Sequence, residues 1–298
     1  MNRTLRKSVL QELRPDGIWQ LSDPMKLILS RLISRLPKSK VSEDETRYPQ
    51  SPAGMRAFLV KFFTRHYVQT QNSLVNYMTS QDFLETIGTG HLRILDIGSG
   101  PAVSSLAITD MLIYILQHLV EMEEWPKNKT VKVNYVLNDT SRICLGTGKR
   151  MLINHFNIGR RYNGNVIHGQ TISIQKAFPD NINQLRRIRF NWGAYDIVIF
   201  SYVVQPLIED KGVRALVQGL SDIEQLCNDS GRILILQDKF QTALVGQISG
   251  AIGISRHEDE LTQQVFPKRN TSGTYTYSYY SCLYSPATVV KAKKECVA

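Results

Sequence analysis

Asp96, Gly98 and Gly100 lie in the run His91–Ile108, HLRILDIGSGPAVSSLAI, where residue type and spacing have chemical consequences. An apolar stretch closes on a carboxylate, two glycines follow at alternate positions, and Pro101 opens a helical pattern. Glycine adopts backbone angles that side chains resist and lets a ligand approach the main chain, while a helix start aims unpaired N–H groups at the same point. A dinucleotide site would need a third glycine three residues after Gly100, and that position is Val103. Asp96 would also repel a pyrophosphate and welcome an amine. The spacing points to a ligand that carries an amino group.

Such a turn needs a strand before it and a helix after it. From residue 90 onward the hydrophobic pattern alternates between the two, which predicts a mainly parallel sheet covered on both faces. Strands are expected at 92–97, 131–139, 165–172, 195–204 and 231–238. A late strand at 274–285, TYTYSYYSCLYS, is expected to run antiparallel. Helices are expected from Pro101 to about Glu124, from Ser141 to Phe156 and from Gly212 to Cys227. In an open sheet of this kind ligands bind beyond the carboxyl ends of the strands.

Residues 1–90 read as helical. Ser22 or Asp23 caps a helix over about 24–36, with Pro24 in its first turn and Leu27, Ile28, Leu32, Ile33 and Leu36 along one side. PKSKVSEDETRYPQSP, residues 37–52, is polar, carries three prolines and predicts an exposed connection. Met55, Phe58, Leu59, Phe62, Phe63 and Tyr67 then fall at helical spacing within 53–77. That aromatic stripe suits packing against the main domain first and a substrate pocket second. The expected division is a helical extension, 1–89, serving as a lid or recognition element, followed by a ligand-binding domain, 90–298.

The pattern D-x-G-x-G-P at Asp96–Pro101 resembles motif I of the class I S-adenosylmethionine-dependent methyltransferases, and the likeness extends over about residues 90–285. The resemblance implies a Rossmann-like, doubly wound, mostly parallel seven-stranded sheet with a late antiparallel strand. It implies S-adenosylmethionine as cofactor and S-adenosylhomocysteine as product. Asp96, Ile97, Gly98, Ser99 and Gly100 would then border the amino-acid tail. Asp139, followed by Thr140, would take the ribose hydroxyls, since each carboxylate oxygen accepts one O–H. Gln170, with Thr171, takes the adenine position that the family usually gives to Asp. FSYVVQPL, residues 200–207, is similar to the segment that faces the methyl group and nominates Ser201, Tyr202 and Gln205 on the acceptor side. The GSGP turn together with SYVV also resembles the methyltransferase-like family associated with the small ribosomal subunit, although the cysteine cluster expected there after the fifth strand is missing.

Composition limits what is methylated. The chain has 298 residues, 42% of them hydrophobic, and a formal charge of +10 from 36 basic and 26 acidic residues. Such an excess favours polyanionic partners, RNA or a ribosomal particle, and Arg160, Arg161, Arg186, Arg187 and Arg189 could clamp phosphates. A base modifier acting on exocyclic amines would show an Asp/Asn/Ser-Pro-Pro-aromatic tetrad where this chain has Ser201-Tyr202-Val203-Val204. Cys144, Cys227, Cys282 and Cys296 are scattered, so neither a metal site nor a cytosine-C5 nucleophile is expected. Cys227 is expected in a helix. His155, His168 and His257 read as core or surface residues. A charged N-terminus, and no uninterrupted apolar run approaching ~20 residues, point to a cytoplasmic protein without a membrane partner. Three readings stay open: an RNA methyltransferase, a small-molecule or peptide methyltransferase whose N-terminal helices cover the acceptor, and a non-catalytic S-adenosylmethionine-binding assembly factor.

Overall fold

The computed structural model of the chain describes residues 2–163, 167–238, 257–264 and 273–286. Its N-terminal part holds α1 (Asn2–Leu13), α2 (Asp23–Arg35), α3 (Glu43–Arg47), α4 (Pro52–Lys61), α5 (Phe63–Met78) and α6 (Gln81–Gly88). Strands and helices then alternate: β1 (His91–Ile97), α7 (Val103–Glu121), β2 (Val131–Asp139), α8 (Arg142–Asn163), β3 (Ile167–Gln175), α9 (Ile182–Trp192), β4 (Tyr195–Ser201), α10 (Val204–Glu224) and β5 (Cys227–Asp238). The last elements are β6 (His257–Gln264) and β7 (Thr274–Tyr284).

The seven strands form one sheet in the order β3-β2-β1-β4-β5-β7-β6. The pairs from β3 to β5 are parallel, and β7 runs antiparallel to both β5 and β6. Strand order therefore reverses between β1 and β4, the place where a doubly wound, Rossmann-like sheet opens a crevice. Alternate side chains of β1 enter different cores: Leu92 and Ile94 join α7, α8 and the N-terminal helices on one face, while Leu95 and Ile97 join α9 and α10 on the other.

Several elements depart from the sequence expectation, each for a local reason. The single helix expected over 53–77 is broken at Phe62, whose φ and ψ of −117° and −25° separate α4 from α5. β3 pairs residue by residue with β2, from Val131 opposite Ile167 to Asp139 opposite Gln175, so it ends three residues beyond the expected 172. Its exposed Ser173 and Gln175 had concealed that end. β4 stops at Ser201 because Tyr202 turns the chain at φ 60°. α10 consequently starts at Val204 and kinks at Gly212, the residue expected to open it. α8 runs on to Asn163, beyond the expected Phe156. Cys227 is the first residue of β5 and not helical. The charged edge strand β6, HEDELTQQ, has no apolar alternation and escaped the sequence reading. Trp19 lies against it, its N–H donating to Thr262 and its carbonyl accepting from Gln264.

α7 is long and apolar enough to cross a membrane by length and composition, a property missed when only uninterrupted apolar runs were sought. Most of it is buried inside the fold, against α1, α5 and α8.

Candidate functional site

The turn after β1 is held by two carboxylates. Gly98 and Gly100 have φ of 63° and 52°, and Ala102 follows at 60°, so the bend uses left-handed backbone three times within five residues. Ala102 stands at the N-cap of α7 and offers no side-chain acceptor. Asp96 supplies one from below: its Oδ2 accepts the Ser105 hydroxyl at 2.7 Å, and the Ser105 amide also donates to the carboxylate. Asp139 acts from the neighbouring strand, with Oδ2 accepting the Gly100 N–H at 2.9 Å and Oδ1 the Ser141 N–H at 2.7 Å. Burial raises the Asp139 carboxyl above its ordinary value, against the pull of those amides. A side chain at Gly98 would stand 2.3 Å from Val203 Cγ2, so the bend packs directly on the start of the segment after β4.

A cavity of about 600 Å³ opens over this bend, a volume typical of small-ligand sites. Its floor includes Ile97, Gly98, Ser99, Gly100, Asp139 and Thr140. Asn138 shapes one side, its Nδ2 donating to the carbonyls of Ile174 and Lys176 and so bringing the chain after β3, Lys176 to Phe178, up to the cavity. Ser201, Tyr202 and Gln205 form the far side. The site thus gathers Ile97, Gly98, Ser99, Gly100, Asp139, Thr140, Ser201, Tyr202 and Gln205.

Three nominated residues lie elsewhere. Asp96 is buried beneath the bend and does not border the cavity, because its carboxylate is used to start α7. Gln170 and Thr171 fall in the middle of β3, opposite Asn134 and Tyr135, since the strand continues to Gln175. The position at the end of β3 belongs to Lys176 and Ala177.

The N-terminal helices contribute the roof. The segment expected to be an exposed connection folds over the cavity mouth: Glu45 Oε1 accepts the Gln50 and Ser51 amides at 3.0 and 2.7 Å, and the Ser141 hydroxyl donates to the Pro49 carbonyl at 2.6 Å. Phe58, Phe62 and His66, spaced by four along α4 and α5, line it with Tyr202. The His66 and Tyr202 rings stack with centroids 3.8 Å apart and planes 10° apart, and Phe62 also stacks on His66 at 5.7 Å. The Tyr202 hydroxyl is taken by Gln69 and lies beside Arg65, so the ring and not the oxygen faces the ligand space. Sequence reading noted this aromatic stripe but missed His66, whose signal was its place four residues after Phe62. It also missed Gln237, which borders the cavity near the end of β5, buried, with an Oε1 that has no hydrogen-bond partner among the described residues.

Other candidates are accounted for. His155 is buried, with Nε2 on Asp110, whose other oxygen receives the Tyr67 and Ser22 hydroxyls. His168 lies on the edge strand β3, and the side chain of His257 is outside the described residues. Arg186 pairs with Asp222 at 2.9 Å on α9, away from the cavity, and the side chains of Arg160 and Arg161 are outside the described residues. Cys144, Cys227 and Cys282 are buried, and burial pushes each thiol up to about 12; Cys296 and most of the segment after β5 lie outside the described residues. Among the described residues there is no cluster with metal-ligand character.

The residues present suit an aminoacyl nucleoside. The bend leaves main chain uncovered by side chains, an acid stands at the end of β2, and the cavity is of ligand size. No protein-family model matches the chain, and no curated protein matches it in sequence. Among solved structures it is similar to a precorrin-6y C5,15-methyltransferase from Geobacter metallireducens (10% identity, 70% of this chain and 88% of that one, TM-score 0.39). A precorrin 8W decarboxylase from Methanobacterium thermoautotrophicum matches at 15% identity over 65% of this chain and 81% of that one, with a TM-score of 0.35. A TehB-like SAM-dependent methyltransferase from Corynebacterium glutamicum matches at 11% identity over 74% and 96%, with a TM-score of 0.31.

Proposed function

We propose that this chain is a class I S-adenosylmethionine-dependent methyltransferase, and that its acceptor is a base of RNA inserted under the N-terminal helices. The observation that supports the first part most is the geometry at the switch point of the sheet, where a glycine bend and Asp139 border one cavity and are bonded to each other. In this reading Gly98 to Gly100 receive the amino-acid tail against bare main chain. Asp139 presents its remaining lone pairs to the ribose hydroxyls while its amide bonds keep it in place. Lys176 and Ala177 border the adenine in the role first given to Gln170.

The bound cofactor would supply a methyl group already activated on a sulfonium. What remains for the protein is to align and enclose the reactants, which can provide much of the acceleration without a base. Ser201, Tyr202 and Gln205 stand on the acceptor side in this reading. An RNA base is favoured by the stacked rings of Phe62, His66 and Tyr202, since stacking on aromatic side chains is a common way to hold an unpaired base. It is favoured too by Arg31, Arg35, Lys38 and Lys40, exposed ahead of the roof segment and without an ion pair among the described residues. A reducing, cytoplasmic setting belongs to the same proposal and agrees with three separately buried thiols.

Calorimetry with S-adenosylhomocysteine tests the cofactor site: binding to the wild type, and affinity at least tenfold weaker in Asp139→Asn, is expected. Labelled methyl donor added with fractionated extract tests the acceptor. Label in RNA, with binding that weakens steeply as salt rises, is the expected result. Label in small molecules or peptides would replace the acceptor class. Tight cofactor binding without label in any fraction would favour a non-catalytic binding protein.

A further inference from the structure

His66 is the imidazole in the cavity wall, and it comes from a helix outside the sheet. It stands on α5 with its ring flat against Tyr202, the residue that leaves β4 with φ 60°. A tyrosine in this rarely populated backbone region marks a place where the surroundings dictate geometry. The Tyr202 hydroxyl is occupied by Gln69 and Arg65, and the acids at the rim are paired, Glu43 with Arg47 and Lys61, and Asp210 with Lys211. Neither ring nitrogen of His66 has a hydrogen-bond partner among the described residues.

We propose that His66 is a catalytic residue on the acceptor side, taking the proton from an N–H or O–H nucleophile as that nucleophile is methylated; this rests on the methyltransferase reading. The nucleophile's lone pair forms the new bond to the methyl carbon, and the carbon–sulfur bond breaks with its electrons remaining on sulfur, which becomes a neutral thioether. The N–H or O–H proton passes to the free lone pair of a His66 ring nitrogen and then to water. The groups facing His66 favour its neutral form: Phe58 and Phe62 from α4 and its end, the Tyr202 ring just after β4, and the Arg65 cation beside it on α5. Burial first, and Arg65 second, hold the imidazole well below its usual pKa, so its lone pair stays available through neutral pH. The proposal also narrows the acceptor, since a nucleophile without a proton to lose would gain nothing from this residue.

Two measurements decide it. In the complex with S-adenosylhomocysteine, the ring nitrogens of His66 followed by nitrogen NMR should report a neutral imidazole at pH 6. His66→Gln should keep S-adenosylhomocysteine affinity within about twofold while transfer of label to the fraction modified by the wild type falls about 100-fold at pH 7, recovering toward higher pH. Added imidazole should restore part of the transfer in His66→Ala. An imidazolium at pH 6 to 7, or a His66→Gln variant that transfers label at the wild-type rate, overturns the role of His66 and leaves the methyltransferase reading standing. A wild type that binds no S-adenosylhomocysteine, or labels no fraction, overturns both.

Discussion

Asp96 and Asp139 lie near the ends of adjacent parallel strands, yet only Asp139 reaches the cavity. Asp96 faces the start of α7, whose N-cap, Ala102, has no side-chain oxygen to offer, and its carboxylate is used on Ser105. Burial pushes Asp96 up to about 7 from an ordinary value of 3.8, so the folded state keeps a proton that the unfolded chain releases near pH 4. With the folded pKa raised, stability falls as pH rises from about 4 to 7, and above 7 the full cost of a buried charge is present. In Asp96→Asn that dependence disappears. The difference in unfolding free energy between variant and wild type, measured in urea without ligand, should move in the variant's favour by up to about 4 kcal/mol between pH 4 and pH 7. A difference constant across that range would remove burial as the cause. Asp139→Asn, by contrast, is expected to act mainly on cofactor affinity, because this carboxylate borders the ligand space.

At the scale of elements, the site is a bend pressed between two strand ends. Gly98 combines a φ of 63° with a position where a β-carbon would meet Val203 Cγ2 at 2.3 Å. Gly98→Ala therefore has to strain the backbone and displace the segment that leads into α10. We expect a loss of about 2 kcal/mol or more in thermal or urea unfolding, together with weaker S-adenosylhomocysteine binding. An alanine variant as stable as the wild type would mean that Val203 can move away freely. The same bend was legible in the sequence, as were β1, β2, β5 and β7 within a few residues, because each carries a continuous or alternating apolar pattern between turn residues. The end of β3 was not. Its register is set by nine successive pairs with β2, and its own polar residues gave no hint of where pairing stops.

For the whole molecule, the N-terminal helices are part of the core that the sheet builds. Leu5, Val9, Met25, Leu29, Phe63 and Tyr67 belong to the same buried cluster as Leu106, Met111 and Ile115 of α7. Asp110 gathers Ser22, Tyr67 and His155, and so ties α2, α5, α7 and α8 through one buried acid. A chain without residues 1–88 would expose much of α7, one of the most apolar helices of the fold. It is expected to lack a cooperative thermal transition by circular dichroism, and a soluble, cooperatively melting fragment would show that the extension is dispensable. Local pattern was enough to establish the alternating sheet, the glycine bend and the acid at the end of β2, since backbone preference and hydrophobic period act over a few residues. Only tertiary structure decided that Asp96 turns away, that β3 delivers Lys176 in place of Gln170, and that His66 stacks on Tyr202 from 136 residues away. Those outcomes depend on which surfaces pack together, and packing between distant segments leaves no periodic mark in either one.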